Sequence, residues 1–188
     1  MITIVSGLPR SGTSLMMQML AVGGMELLAD GVREPDEDNP RGYFEFEPVK
    51  RTREDPSWLA RAEGKAVKMV YQLLYDLPPG RDYRVILMER ELSEIVDSQN
   101  RMLERLGRQP GRLDNAEWVR VFRRDIAKLK RWMATRSDFR VQRVSYNRLI
   151  VRPKPALKRI RRLLDGPLDV EKMAAAVDPA LYRHRKRG

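Results

Sequence analysis

Residues 2–20 of this chain read ITIVSGLPRSGTSLMMQML and place three kinds of local structure side by side. The β-branched apolar start favours a strand, Gly7 and Gly12 bound a short loop, and the leucines and methionines that follow are good helix formers. The start of a helix leaves backbone N–H groups unpaired and carries a partial positive charge. Residues 2–20 therefore predict a cradle for a phosphate group at the N-terminus of the first helix.

The loop departs at one position from the pattern of ATP-binding proteins. Its glycine spacing fits G-x-x-x-x-G-K-[ST], but Thr13 stands where that pattern has lysine. A nucleoside triphosphatase would be expected to keep this lysine, because it reaches the terminal phosphates. The long cation lies within the loop instead, as Arg10.

Length and composition indicate one globular domain. The 188 residues suffice for one well-packed core and are too few for two domains of ordinary size. We expect the domain to span residues 1–182, followed by a basic tail at 183–188. The net charge of +11 favours a polyanionic ligand, whether nucleic acid, acidic lipid or a multiply phosphorylated cofactor, and does not choose among them.

The absence of cysteine and of a leader pattern indicates a cytoplasmic protein. Without cysteine the chain has neither disulfides nor thiolate metal sites, which suits a reducing compartment. The chain begins directly with a strand pattern and shows no signal peptide. Its longest apolar stretch, residues 15–28, is too short for a membrane span and contains polar residues.

Patterns of strands and helices alternate along the rest of the chain. Apolar runs predict strands at 65–70, 85–88 and 139–144, and three- and four-residue apolar spacing predicts helices from about 91 and over 115–136. Further helices are predicted at 48–62, after Pro153 and near 169–176. The continuously apolar run at 85–88 is typical of a strand buried inside a parallel sheet. We therefore predict a three-layer α/β fold with a central parallel sheet of four or five strands.

Three separated segments resemble one enzyme family. Residues 9–14, PRSGTS, resemble the 5′-phosphosulfate loop, P-[KR]-[ST]-G-[TS]-[TS], of sulfotransferases that use 3′-phosphoadenosine-5′-phosphosulfate (PAPS). Arg90 after a strand, with Ser98 eight residues later, resembles the family's 3′-phosphate element, although Glu91-Leu92 replaces the usual D-P. Residues 146–149, YNRL, resemble its Y-[ED]-x-[LM] element, with Asn147 in place of the acid.

A fourth segment contains the candidate catalytic acids. Residues 39–45, NPRGYFE, resemble an N-P-x-G-Y-x-E element that lies beside the acceptor pocket in small bacterial sulfotransferase-like proteins. Aromatic and acidic residues alternate from Tyr43 to Glu47, which would place Glu45 and Glu47 on one side of an extended chain. An ordinary half-buried edge strand with exposed acids explains this pattern equally well.

The resemblance implies a PAPS-dependent sulfotransferase with a P-loop kinase-like arrangement of strands. It moves a sulfuryl group to a hydroxyl or amine of a small molecule, glycan or peptide, and no metal or nucleic acid is expected to take part. The cofactor-binding residues implied are Arg10, Ser11, Gly12, Thr13, Ser14, Arg90, Ser98 and Tyr146. Arg10 would also stabilise charge on the leaving oxygen, because its guanidinium is always charged. Tyr146 would lie by the adenine, and a buried structural tyrosine is an equally open interpretation.

The acceptor proton requires a base. The one histidine of the chain, His184, lies in the predicted tail, so a carboxylate is the better candidate. Glu45 is the first choice and Glu47 the second. Lys68 is a further candidate site residue, although solvation at a strand edge explains it equally well.

Two other classes of function remain open from the sequence. A P-loop kinase acting on a small molecule would share the fold, but it should keep a lysine at position 13 and need Mg²⁺. A nucleic-acid-binding protein would explain the charge. The chain lacks finger, RNP and recognition-helix patterns, however, and its 26 acids are interspersed with the bases.

Overall fold

The strands that the structure describes form one fully parallel sheet. The computed structural model describes residues 1–32, 42–108 and 113–177. Within them the strands are β1 (Ile2–Gly7), β2 (Ala66–Val70), β3 (Tyr83–Glu89) and β4 (Phe139–Ser145). Their order across the sheet is β2-β1-β3-β4, and every neighbouring pair is parallel. The predicted α/β fold with a parallel sheet of four or five strands is confirmed, with four strands.

Six α-helices surround this sheet in the described part of the chain. They are α1 (Thr13–Val22), α2 (Leu92–Arg105), α3 (Asn115–Ala134), α4 (Tyr146–Val151), α5 (Pro153–Leu164) and α6 (Val170–Ala175). The helix predicted at 48–62 is instead two short 3-10 helices, Glu47–Arg51 and Ser57–Ala60, and a third spans Tyr71–Asp76. Pro56 explains the interruption, since proline disfavours helical backbone at the residue before it.

The apolar side chains form one core on each face of the sheet. Ile4 and Val85 belong to the core beneath α2, α3 and the 3-10 helices, whereas Val5 and Ile86 belong to the core beneath α1, α4, α5 and α6. All four side chains are fully buried. Alternation of apolar residues toward two covered faces explains why the central strands read as continuous apolar runs.

The topology brings four chain segments to the carboxyl edge of the sheet. In the register, Gly7 at the end of β1 lies opposite Val70 of β2 and Met88 of β3, and Glu89 lies opposite Ser145 of β4. The chain passes from β1 to β2 on one side and from β3 to β4 on the other. The crevice beyond β1 and β3 is therefore the switch point at which ligands of open α/β sheets bind.

Several sequence predictions concern residues outside the described ranges. They are the basic tail at 183–188, His184 and residues 39–41 of the NPRGYFE segment. The division into a domain at 1–182 and a tail therefore stays a prediction. None of the helices in the described ranges has the length and apolar character required to cross a membrane.

Candidate active site

The loop between β1 and α1 turns back on itself directly beyond the sheet. The amide of Ser11 donates to the carbonyl of Leu8 at 3.1 Å, and the backbone is left-handed at Arg10 (φ 70°) and Gly12 (φ 98°). The first turn of α1 contains no acidic residue, and within the described ranges no side chain caps its start. The amides at this helix start therefore present positive potential toward the crevice, as the sequence predicted.

Two glycines allow the loop to approach its neighbours closely. A Cβ atom at Gly7 would lie 2.5 Å from Ser11 Oγ and 2.6 Å from the carbonyl oxygen of Met88. A Cβ atom at Gly12 would lie 2.3 Å from Cδ2 of Tyr146. The Tyr146 ring thus packs directly on the loop, and only 8% of this residue is exposed.

Gly12→Ala should destabilise the protein and Gly24→Ala should do so much less. Both glycines have φ near 100°, but no atom of the described residues lies within 4 Å of a Cβ atom at Gly24. The shared left-handed backbone costs about 1–2 kcal/mol with alanine. Overpacking against Tyr146 adds about 1–3 kcal/mol at Gly12 alone. Thermal unfolding should show a clearly larger drop in Tm for Gly12→Ala, and equal drops would contradict the packing of Tyr146 on the loop.

The arginines predicted for two separate elements lie together. Arg10 Nε donates to Ser98 Oγ at 2.9 Å, and Arg90 Nη1 donates to the carbonyl oxygen of Arg10 at 3.2 Å. The guanidinium carbon of Arg90 lies 4.7 Å from the centroid of the Tyr146 ring. The structure therefore joins Arg10, Arg90, Ser98 and Tyr146 into one group, which we call the arginine cluster.

Two members of this site were not assigned a role from the sequence. Arg90 Nε donates to Glu94 Oε2 at 2.8 Å, and both side chains are less than 10% exposed. Asn147 Nδ2 donates to the other carboxylate oxygen, Oε1, at 3.1 Å. In the sequence, only the four-residue spacing of Arg90 and Glu94 could have indicated this ion pair, and such pairs are ordinary on helix surfaces.

A second group of site residues surrounds Lys68 of β2. Lys68 Nζ lies 3.5 Å from both Ser14 Oγ and Glu45 Oε1, and it donates to the carbonyl oxygen of Tyr43. Its side chain is 12% exposed and that of Glu45 is 27% exposed. Lys68 therefore contacts both the start of α1 and the candidate base Glu45. Its low exposure does not fit the alternative interpretation of a solvated lysine at a strand edge.

The structure separates the two candidate bases. Residues 42–46 form no strand, so the expectation of an edge strand there is wrong. The left-handed backbone of Phe44 (φ 53°) breaks the alternation, and the Glu47–Arg51 3-10 helix begins directly afterwards. Glu47 pairs with Lys50 at 2.5 Å and is half exposed, whereas Glu45 faces Lys68.

The three hydroxyls predicted to hold a phosphate differ in their surroundings. Thr13 and Ser14 are partly exposed, but Ser11 is fully buried. Ser11 Oγ has no hydrogen-bond partner among the described residues and lies where the side chain of residue 7 would be if that residue were not glycine. A direct contact from the Ser11 hydroxyl to a ligand would need the loop to rearrange.

Glu89, at the end of β3, is occupied by structural ion pairs. Its carboxylate pairs with Lys130 of α3 and lies 3.1 Å from Arg143 Nη2 of β4. Burial would raise the pKa of Glu89, but hydrogen bonds and charge from Arg143 and Lys130 outweigh it and keep the pKa below its ordinary value. Glu89 is therefore an ionised link between α3 and β4.

Comparison with known proteins identifies the fold. No protein-family model matches the chain, and no curated protein matches it. Among solved structures, a sulfotransferase domain from the curacin biosynthetic pathway matches with a TM-score of 0.55 and 15% identity, over 97% of this chain and 86% of that chain. The chain therefore has the fold of a sulfotransferase domain.

Two more distant structures also align with the chain. Retinol dehydratase in complex with androsterone and the inactive cofactor PAP matches with a TM-score of 0.49 and 14% identity, over 93% of this chain and 62% of that chain. An unliganded sugar kinase from Janibacter sp. HTCC2649 matches with a TM-score of 0.41 and 15% identity, over 97% of this chain and 98% of that chain.

Proposed function

We propose that this chain is a cytoplasmic sulfotransferase that moves a sulfuryl group from PAPS to a hydroxyl or amine acceptor. The observation that carries the proposal is the arginine cluster, in which Arg10 of the phosphate loop contacts Ser98 of α2 at 2.9 Å. The cluster unites a 5′-phosphate cradle with a second cationic position. A nucleotide with phosphates at the 3′ and 5′ positions of its ribose matches that arrangement. The fold shared with a sulfotransferase domain also supports sulfuryl transfer.

The start of α1 and the arginine cluster divide the binding of such a nucleotide between them. Amides at the start of α1, with the hydroxyls of Thr13 and Ser14, hold the 5′-phosphate. Arg90 and Ser98 hold the 3′-phosphate, because a guanidinium pairs strongly with phosphate and a hydroxyl that accepts from Arg10 can still donate. Tyr146 packs against both the loop and the guanidinium of Arg90. A contact with adenine would use the small part of the tyrosine that remains exposed.

Sulfuryl transfer resembles phosphoryl transfer, so positioning and charge neutralisation supply most of the catalysis. PAPS, when bound, provides an activated sulfuryl group on a phosphate leaving group. Arg10 stabilises the negative charge that accumulates on the leaving oxygen. Lys68 lies 3.5 Å from Ser14 Oγ and contributes positive charge on the acceptor side of the loop.

Glu45 takes the acceptor proton in this scheme. Lys68 Nζ lies between this carboxylate and the start of α1, 3.5 Å from Glu45 Oε1 and 3.5 Å from Ser14 Oγ. As the acceptor oxygen or nitrogen bonds to sulfur, its proton moves to Glu45 and the bond from sulfur to the phosphate oxygen breaks. Adenosine 3′,5′-bisphosphate leaves with the bonding electrons. Lys68 keeps Glu45 oriented between successive transfers.

Ligand-dependent thermal stability tests the proposal directly. Adenosine 3′,5′-bisphosphate and PAPS should raise the Tm, because a ligand that binds only the folded state stabilises it by mass action. AMP should raise the Tm less, since it lacks the 3′-phosphate, and ATP with Mg²⁺ should have the smallest effect. No response to millimolar adenosine 3′,5′-bisphosphate would overturn the proposal. A larger response to ATP with Mg²⁺ would favour a kinase.

A further inference from the structure

Behind Arg90 a chain of hydrogen bonds connects the starts of two helices. Arg90 Nε donates to Glu94 Oε2 at 2.8 Å, and Asn147 Nδ2 donates to Glu94 Oε1 at 3.1 Å. The oxygen of the same amide, Asn147 Oδ1, accepts from the backbone amide of Glu91 at 3.2 Å. Asn147 thus links α4 to both the first turn of α2 and the residue before it.

This chain of contacts is too buried to be an ordinary surface ion pair. The side chains of Arg90 and Glu94 are 8% and 7% exposed. A buried charge is costly unless its partner and further hydrogen bonds compensate, so removal of one member strongly disturbs the rest. Two further contacts hold the guanidinium, since Nη1 donates to the Arg10 carbonyl and the Tyr146 ring lies against one face.

The identities of residues 94 and 147 are chemically matched. An ionised carboxylate only accepts hydrogen bonds, whereas an amide has one accepting and one donating end. Asn147 uses its donating end on Glu94 and its accepting end on the Glu91 amide. An acid at position 147 would place two carboxylates against each other, which raises the free energy of the ionised pair.

We propose that Glu94 and Asn147 are positioning residues that fix the guanidinium of Arg90 and thereby set the preference for a nucleotide with a 3′-phosphate. The inference rests on the proposed function for the identity of that ligand. Glu94 is 7% exposed and pairs with Arg90, so the role assigned to it is orientation of that guanidinium. A guanidinium already held in place loses less entropy when it binds a phosphate.

The test measures a ratio of affinities that a loss of folding alone would not change. Dissociation constants for adenosine 3′,5′-bisphosphate and for AMP are measured by calorimetry on the full chain and on its variants. The ratio is the dissociation constant for AMP divided by that for adenosine 3′,5′-bisphosphate, so a larger ratio means a larger contribution of the 3′-phosphate. In Glu94→Gln and in Asn147→Asp we expect the ratio to fall about tenfold, with AMP affinity changed less than threefold, since hydrogen bonds to charged groups contribute on this scale.

The double variant Glu94→Gln/Asn147→Asp exchanges the carboxylate and the amide. The amide at position 94 then donates to the carboxylate at position 147 and accepts from Arg90, while that carboxylate still accepts from the Glu91 amide. The hydrogen bond between positions 94 and 147 is restored with donor and acceptor exchanged. We therefore expect the double variant to regain most of the preference for adenosine 3′,5′-bisphosphate over AMP that either single variant loses. Glu104→Gln, a substitution of an exposed acid on the same helix, is the matched control and should keep the ratio of the parent protein.

The outcomes distinguish failure of the positioning role from failure of the proposed function. If the parent protein does not prefer adenosine 3′,5′-bisphosphate over AMP, the proposed function fails and the positioning role falls with it. If the parent shows the preference and the single variants keep it, the positioning role alone is overturned. If the affinity ratio of the double variant falls, in free-energy terms, by the sum of the two single effects, residues 94 and 147 are not a matched pair. Recovery of the ratio in the double variant would support the pair.

Discussion

Glu45→Gln is expected to lower turnover by about 10²–10⁴-fold while leaving nucleotide affinity nearly unchanged, because general-base catalysis contributes on this scale. Glutamine keeps the size and hydrogen-bonding reach of the side chain but cannot accept the acceptor proton. Turnover is measured as release of adenosine 3′,5′-bisphosphate from PAPS, with an acceptor selected by screening phenols, alcohols and amines. Binding of adenosine 3′,5′-bisphosphate to the variant should remain within about threefold of the parent.

Glu47→Gln provides the matched control for this experiment. Glu47 lies two residues away, is half exposed and pairs with Lys50, so its loss should leave turnover within a few-fold. A rate for Glu45→Gln within a few-fold of the parent would show that Glu45 is not the base. A large loss for Glu47→Gln instead would mean that the segment from Gly42 to Glu47 rearranges when the acceptor binds.

Arg10→Ala is expected to reduce turnover by about 10²–10³-fold, the usual loss when one donor to a developing negative charge is removed. The same substitution should weaken nucleotide binding, because Arg10 also donates to Ser98 at 2.9 Å and so organises the second phosphate position. Arg10→Lys keeps the charge but loses the planar fork, and we expect it to recover only part of the activity.

Arg159→Ala controls for the loss of one positive charge from a strongly basic protein. Arg159 is exposed on α5, a helix that packs against β3 and β4. We expect this variant to keep the affinity and turnover of the parent. If the two alanine variants lose activity equally, overall charge rather than the guanidinium in the loop supports binding, and the role given to Arg10 is wrong.

The sequence predicted well the features that depend on neighbours along the chain. The strand, loop and helix of residues 2–22 form as expected, and the apolar periodicity of residues 115–134 corresponds to one helix. Predictions failed where a local pattern had to compete with tertiary contacts. The alternation from Tyr43 to Glu47 suits a strand, yet the backbone turns left-handed at Phe44 and the segment pairs with no strand of the sheet.

The candidate site was predictable as a set of residues but not as a network. Arg10, Arg90, Ser98 and Tyr146 were each selected because their segments resemble elements of sulfotransferases. Their contacts with one another join residues as far as 88 positions apart in the chain. Glu94 escaped selection because an arginine and a glutamate four residues apart are common on helices, and only burial distinguishes this pair.

By itself, the sequence determined that this protein has an α/β fold and that the loop after its first strand carries Arg10, with threonine and not lysine at position 13. These properties follow from residue type and spacing, which act through the local backbone. Only the tertiary structure decided that Glu45 lies beside Lys68 while Glu47 pairs with Lys50, and that Arg90, Glu94 and Asn147 form one chain of hydrogen bonds. The physical reason is that burial and hydrogen-bond partners depend on how parallel strands bring distant segments to one edge of the sheet.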